Sequence, residues 1–91
     1  MILISYDIKN DKLRASFAKY IKKFGYRIQY SVYEIRNSKK ILDNIICEIE
    51  HNYEKKFSQS DSVIIIETSN TCKLIKMGYA KNDESDIIVV D

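Results

Sequence analysis

The stretch Ile-Leu-Ile-Ser-Tyr-Asp-Ile, at positions 2 to 8, constrains the fold of this chain more than any other. An apolar run of this length, rich in β-branched residues, is typical of a strand at the centre of a sheet. It carries one carboxylate, Asp7, near its far end. A side chain on the most rigid part of a fold is well placed for a functional site. Asp7 also fits a loop start or a helix cap, so the functional interpretation has a structural alternative.

Two amphipathic segments follow the first strand. Apolar residues at helical spacing predict one helix over residues 11 to 24 and a second over 39 to 57, each preceded by residues that favour N-capping. Gly25 directly follows the first segment, as expected for a residue that ends a helix with a positive φ. The first helix presents lysines on its outer side and the second presents glutamates.

The remaining segments predict strands. Residues 26 to 36 form either one bent strand or a hairpin broken near residues 30 and 31, and we favour the hairpin. Residues 61 to 67 are a second buried apolar run, and 72 to 79 and 86 to 90 are further strands. This order predicts an α+β, ferredoxin-like βαββαβ sandwich with extra C-terminal strands, in which both helices cover one face of an antiparallel sheet.

The chain has no proline and no long linker, so residues 1–91 are expected to form one domain. With no third helix, the other face of the sheet is expected to be covered by a second copy of the chain. No apolar run approaches the roughly 18 residues of a membrane span, and no signal-peptide pattern is present. We therefore expect a cytoplasmic protein without a membrane partner, with Cys47 and Cys72 as reduced thiols.

Charge is distributed unevenly along the chain. Residues 1–40 carry a net charge of +7, and residues 41–91 carry −5. Such asymmetry favours an anionic partner for one face, most simply nucleic acid, although the charges can also intermix on a solvated surface. The predicted nucleic-acid-binding residues are Lys9, Lys12, Arg14, Lys19, Lys22, Lys23, Arg27 and Arg36.

Four motifs together resemble the small CRISPR-associated protein two family, which acts in spacer acquisition. The most specific is the run FGYRIQYSVYE at positions 24 to 34. The family often has Pro or Ser after the first strand, where this chain has Lys9. The other three motifs are Tyr6-Asp7-Ile8, Asp11-Lys12 with Arg14, and Asp61-Ser62-Val63.

The resemblance implies a two-fold homodimer in which a C-terminal extension, residues 72–91, crosses to the mate. It also implies a metal-dependent endonuclease or endoribonuclease that hydrolyses phosphodiester bonds of DNA or RNA, with Asp7 as the catalytic magnesium ligand. A larger CRISPR-associated integrase protein is the implied partner in antiviral defence. One carboxylate per chain makes a weak site for Mg²⁺, which prefers several oxygen ligands, so we expect the two copies of Asp7 in a dimer to share the metal.

Two other classes of function stay open. Basic residues on helix one also suit a purely architectural scaffold that binds duplex DNA through its phosphates and has no nuclease activity. A ferredoxin-like interaction module without nucleic acid is the third class. Ser31 and Tyr33 are candidate substrate contacts, although strand hydroxyls more often bond to the backbone, and His51 is expected on the surface.

Overall fold

The computed structural model describes residues 1–68 and 72–78, and the backbone of a last strand at 87–90. A π-helical turn (Ile49–Tyr53) and a 3-10 turn (Glu54–Lys56) follow the second helix. The regular elements, in chain order, are β1 (Ile2–Asp7), α1 (Asp11–Ile21), β2 (Gly25–Gln29), β3 (Val32–Ile35), α2 (Lys39–Glu48), β4 (Ser62–Thr68), β5 (Cys72–Gly78) and β6 (Ile87–Val90).

The described strands form one antiparallel sheet in the order β2-β3-β1-β4-β5-β6. Strand β1 lies between β3 and β4, so the first apolar run is a central strand as predicted. The four strands β2-β3-β1-β4 have the ferredoxin-like order, and β5 and β6 extend the sheet beyond β4. The predicted α+β fold with extra C-terminal strands is confirmed.

Both helices pack on one face of the sheet. Side chains alternate along β1, so Ile2, Ile4 and Tyr6 are buried beneath the helices while Asp7 is exposed. Burying one large apolar side chain contributes about 1.5–3 kcal/mol, so this layer is the main source of stability. It is completed by Ile8, Phe17, Ile21, Tyr33, Ile35, Leu42, Ile45, Ile49, Tyr53, Val63, Ile65 and Met77.

The opposite face of the sheet carries no helix among the described residues, and we call it the open face. Leu3, Ser5 and Asp7 of β1 point to it, and each is paired with a β4 residue on the same face. The β4 partners of Leu3 and Ser5 are Ile66 and Ile64, so much of the open face is apolar.

The first helix is shorter than predicted, and the second covers nearly the predicted range but is α-helical only in its first part. Helix α1 ends at Ile21 instead of residue 24, because residues 22 to 24 turn towards β2 and the Phe24 N–H bonds to the Ile21 carbonyl at 2.9 Å. Helix α2 is regular only to Glu48, after which the π-helical turn keeps both Ile49 and Tyr53 in the core. Asn10 and Ser38 cap the two helices through their side chains.

Gly25 does not have the role predicted for it. It opens β2, and Gly78 is the only described glycine with a positive φ, at 69°. A Cβ on Gly25 would lie 1.9 Å from the Glu34 carbonyl oxygen. Glycine is therefore needed here because the β3 backbone approaches closely.

The predicted hairpin over residues 26 to 36 is present as β2 and β3, with Tyr30 and Ser31 between them. No helix in the described part of the chain is long and apolar enough to span a bilayer. The predicted turns at 69–71 and 81–85 lie outside the described residues. Strand β6 pairs with β5 of its own chain, and exchange of residues 72–91 with a second copy stays a prediction.

Candidate metal and nucleic-acid site

Asp7 is the last residue of β1, and its carboxylate is exposed on the open face. The side chain is 61% exposed, and its Oδ1 atom accepts a hydrogen bond from Lys9 Nζ at 2.9 Å. The strand that carries it is paired on both sides along most of its length. The structure thus places a solvent-accessible carboxylate on a rigid support and already in contact with a cation.

A buried carboxylate, Asp61, fixes the loop that follows Asp7. Only 1% of Asp61 is exposed, and its two oxygens each accept a backbone N–H at 2.9 Å, one from Lys9 and one from Ser58. Burial by itself raises the pKa of Asp61, but these hydrogen bonds outweigh it and the pKa lies below its usual value. Asp61 therefore joins the β1–α1 loop to the loop before β4.

Sequence reasoning treated Asp61 only as the start of a strand and missed this role. No pattern around Asp61 records a contact with a residue 52 positions away, and position 9 gives only an indirect indication. A proline there would have no N–H to donate, so a lysine leaves a backbone donor for which a buried acceptor is available.

Arg14 closes the same loop from the helix side. Its guanidinium donates to the Ile8 carbonyl at 3.0 Å and to the Lys9 carbonyl at 3.3 Å, and it also pairs with Asp11. The hydrogen bond to Asp11 raises the pKa of Arg14, so the guanidinium stays charged. We call Asp7, Lys9, Asp11 and Arg14 the carboxylate end; its two cations are both paired with carboxylates of their own chain.

The carboxylate end fits a magnesium ion as one ligand and not as a complete cage. No three His, Cys, Asp or Glu side chains come together to hold a metal anywhere in the described residues. The contact with Lys9 Nζ shows that a cation can approach the Asp7 carboxylate. Mg²⁺ commonly keeps several waters and binds through one or two carboxylates together with substrate phosphates, and Asp7 suits such a site.

Three of the predicted basic residues lie at the opposite end of β1. Lys22, Lys23 and Arg36 are exposed around a depression of about 500 Å³, and we call these three residues and the depression the basic pocket. Backbone at Phe24 and Gly25 completes it, where the Arg36 N–H bonds to the Phe24 carbonyl at 3.0 Å. The structure therefore separates the predicted basic face into two groups.

The other predicted basic residues belong to neither group. Lys12 is exposed in the first turn of α1, and Lys19 is exposed in its last turn. Arg27 is exposed on β2 and lines a small cleft of about 160 Å³ together with Arg14. Three tyrosines, Tyr6, Tyr30 and Tyr33, line the same cleft.

The two candidate substrate contacts are placed differently. Ser31 lies in the β2–β3 turn, where its carbonyl accepts the Tyr6 N–H at 3.1 Å. Tyr33 is only 3% exposed and stacks on Tyr6 beneath the helices, on the face opposite to Asp7. Burial and the neighbouring Tyr33 raise the pKa of Tyr6, so its hydroxyl stays protonated at neutral pH. His51 is exposed, as expected, and bonds to the Cys47 carbonyl at 2.8 Å.

Comparison with known proteins identifies the family. The model of the family described as CRISPR associated protein Cas2 matches residues 1–74. The match includes β1 through β4, the motif at positions 24 to 34 and both ends of β1. This chain therefore belongs to the Cas2 family, which confirms the resemblance seen in the sequence.

Relatives with curated names agree with this assignment. A "CRISPR-associated endoribonuclease Cas2 2" of Methanospirillum hungatei is 26% identical over 90 residues, which cover 97% of both chains. A "CRISPR-associated endoribonuclease Cas2" of Mycobacterium tuberculosis is 39% identical over 49 residues, 54% of this chain. That match spans only 43% of the mycobacterial protein.

Two solved structures share the fold. A hypothetical protein, TT1823, from Thermus thermophilus superposes with a TM-score of 0.64 at 23% identity, over 77% of this chain and 82% of its own. Cas2 of Streptococcus pyogenes superposes with a TM-score of 0.61 at 22% identity, over 76% of this chain and 86% of its own. At this level of identity the likeness establishes the fold.

Proposed function

We propose that this protein is a CRISPR adaptation protein and a magnesium-dependent endonuclease that hydrolyses phosphodiester bonds in RNA or DNA. One observation carries the proposal: an exposed carboxylate, Asp7, ends the central strand beside a loop that the buried Asp61 holds in place. The names of its relatives, which are called endoribonucleases, support the same class of reaction.

The working unit we propose is a homodimer that meets through the open face. Leu3, Ile64 and Ile66 supply apolar side chains on this face, and no helix of the described residues covers them. Asp7 lies on the same face, so a two-fold axis near it would bring two carboxylates to one metal. Exchange of residues 72–91 between the chains would strengthen such a dimer.

Each residue of the carboxylate end would have a separate role in the cleavage reaction. A bound Mg²⁺ would neutralise phosphate charge and lower the pKa of a coordinated water. Asp7 would hold the metal, and Lys9 would be released from Asp7 to contact the substrate. Arg14 would hold the β1–α1 loop in place through the Ile8 and Lys9 carbonyls. Tyr6 would not act as a base at neutral pH because its pKa is raised by burial.

The test compares two isosteric substitutions, Asp7→Asn and Asp43→Asn, in cleavage assays on RNA and DNA with Mg²⁺ or with a chelator. Asp43 is an exposed helix residue paired with Lys39, so its substitution controls for the loss of one negative charge. We expect Asp7→Asn to lose at least about 100-fold in cleavage rate, as for other removed groups that stabilise a transition state, while the dimer persists. Equal cleavage by the two variants would refute the nuclease assignment.

An architectural role is the second candidate, favoured by the cations that lie away from Asp7. In this role the dimer binds duplex DNA and a larger CRISPR-associated integrase, and Asp7 is dispensable. Phosphate contacts of this kind are independent of metal and weaken steeply with salt. Spacer integration that survives Asp7→Asn, in the presence of the integrase, would favour the scaffold over the nuclease.

A further inference from the structure

The basic pocket differs from the carboxylate end in its charge balance. Lys22, Lys23 and Arg36 make no ion pair with any carboxylate of the described residues, whereas Lys9 and Arg14 both do. Lys23 Nζ lies 5.8 Å from the centre of the Tyr20 ring, which steadies its position without neutralising its charge. Three positive charges therefore line one depression, and none of them forms an ion pair within the part of the chain that the structure describes.

The single carboxylate that lines the pocket, among the described residues, is already engaged. Glu34 accepts a hydrogen bond from the Tyr26 hydroxyl at 2.9 Å, across the β2–β3 pair. This bond raises the pKa of Tyr26, which keeps the hydroxyl protonated and donating to Glu34. Glu34 forms no ion pair with the three cations in the described ranges.

We propose that the basic pocket binds a phosphate group of the nucleic-acid substrate and thereby sets the distance between that phosphate and the bond cut near Asp7. The inference rests on the proposed nuclease function and adds to it a second contact on the same chain. Clustered Lys and Arg side chains around a concave surface attract phosphate, and Arg contributes a planar fork of donors.

The length of β1 sets the distance. Five residue steps separate Ile2 from Asp7, and at about 3.4 Å per step the strand spans about 17 Å. The pocket is lined by Met1 and Ile35, at the Ile2 end of this strand. Stacked nucleotides advance by about 3.4 Å each along one strand of a duplex. A phosphate in the pocket would thus lie about five nucleotides from a bond at Asp7.

Phosphate can come from two sources, an internal diester or a terminal monoester. A terminal phosphate carries a charge of about −1.5 to −2 at neutral pH, and an internal one carries a single charge. Three unpaired cations favour the more highly charged group, so we expect a 5′-phosphorylated end to bind more tightly than the same end with a 5′-hydroxyl.

The decisive measurement is binding without metal, in a background of Asp7→Asn, by fluorescence anisotropy of oligonucleotides with a 5′-phosphate or a 5′-hydroxyl. The pocket variant is Lys22→Gln with Lys23→Gln, and the control is Lys55→Gln with Lys56→Gln, a second pair of adjacent exposed lysines. We expect the pocket variant to lose about tenfold in affinity for the 5′-phosphate and the control to lose less than about twofold. The slope of log affinity against log salt should become shallower by about 0.7–0.9 for each phosphate that the pocket variant no longer binds.

Equal losses of affinity in the two variants would overturn the proposal, because the lysines would then act only through net charge. A large pocket-specific loss that is the same for 5′-phosphate and 5′-hydroxyl ends would assign the pocket to an internal phosphate. Arg36→Gln repeats the binding measurement at a pocket residue that follows β3, whereas Lys22 and Lys23 follow α1. Since no cleavage is measured, these results hold whether or not the nuclease assignment succeeds.

The cleavage register is measured separately with the parent Asp7. We expect the main cut about five nucleotides from the phosphate held in the pocket, and a scattered pattern with the pocket variant. An unchanged pattern with the pocket variant would refute the measuring role.

Discussion

The two ends of β1 carry the same kinds of basic residues in opposite electrostatic states. At the carboxylate end, Lys9 pairs with Asp7 and Arg14 pairs with Asp11. At the basic pocket, Lys22, Lys23 and Arg36 have no such partner among the described residues. Paired cations position a loop and its carboxylate, whereas unpaired ones remain available to an anion.

The difference teaches that the function of a lysine depends on the nearest carboxylate more than on its place in a basic segment. The carboxylate end also has a buried anchor, Asp61, whereas the basic pocket depends on a close approach of two backbones at Gly25. Each end can therefore be perturbed without changing a charge in the other.

The largest effect is expected from removing the anchor of the carboxylate end. Asp61→Ala leaves the Lys9 and Ser58 N–H groups without their acceptor, and each lost bond to a charged group costs about 1.5–3 kcal/mol. We expect the free energy of unfolding, measured in urea, to fall by about 3 kcal/mol.

Asp43→Ala is the control, because the exposed pair of Asp43 with Lys39 contributes only about 0.3–0.5 kcal/mol. If Asp61→Ala costs no more than this control, Asp61 does not hold the loop. Binding of a 5′-phosphate at the basic pocket, measured below the unfolding transition, should not change.

The second-largest effect on stability is expected at the basic pocket. Gly25→Ala places a Cβ against the Glu34 carbonyl and forces β2 away from β3, which we expect to cost about 2 kcal/mol by overpacking. The measurement is again urea unfolding, with Gln29→Ala on the same strand as an exposed control. The variant should lose 5′-phosphate affinity while Mg²⁺-dependent cleavage persists. If the variant were as stable as the parent, β2 could shift away from β3 without a loss of stability, and the close approach at Gly25 would not matter.

Acid should weaken the carboxylate end selectively. The pKa of Asp61 lies below its unfolded value of 3.8, so its contribution is complete above that pH and is lost as the pH falls through the folded pKa. Asp61→Asn leaves one of the two N–H groups facing an amide NH2 in place of an acceptor, which we expect to cost about 1.5 kcal/mol at pH 7. The amide does not titrate in this range, so the variant has no charge-dependent contribution to lose. The stability gap between parent and Asp61→Asn should therefore stay constant near neutral pH and narrow as the pH falls below the unfolded pKa of 3.8, and a gap that does not change in acid would contradict this account.

The smallest effect concerns Lys9. Lys9→Gln removes the ammonium that contacts Asp7 but keeps the backbone N–H that bonds to Asp61. Because both side chains are about 60% exposed, stability should change by less than about 1 kcal/mol. The Mg²⁺ concentration for half-maximal cleavage should fall about two- to threefold, and Lys39→Gln should leave it unchanged. A higher Mg²⁺ requirement would show that Lys9 assists the metal instead of competing with it.

Much of the fold could be predicted from local patterns. The run at positions 2 to 8, the hairpin at 26 to 36 and the two helices are recognisable because period and β-branching report burial directly. Helix ends are predicted less accurately, since the turn at residues 22 to 24 and the π-helical turn after Glu48 are fixed by packing against other elements.

The candidate site could be predicted only in part. Asp7 is identifiable from the end of a strand and from the family motif. The role of Asp61 depends on two N–H groups from separate loops, one of them 52 positions away, and no local pattern records such a contact. The division of the basic residues into two groups, and the reason for Gly25, also depend on which strands become neighbours.

The irregular register of β2 is expected to disfavour aggregation through this edge of the sheet. This strand is one edge of the sheet, and residues Tyr26, Ile28 and Tyr30 are exposed along it and in the turn that follows, a surface that invites a strand from another molecule. The register shifts between Arg27 and Gln29, so the edge is kinked within its five residues. A strand from another molecule would find too few evenly spaced backbone N–H and C=O groups on this edge to form a regular ladder of hydrogen bonds. We therefore expect this exposed aromatic edge to add strands from other molecules less readily than a regular edge of the same composition.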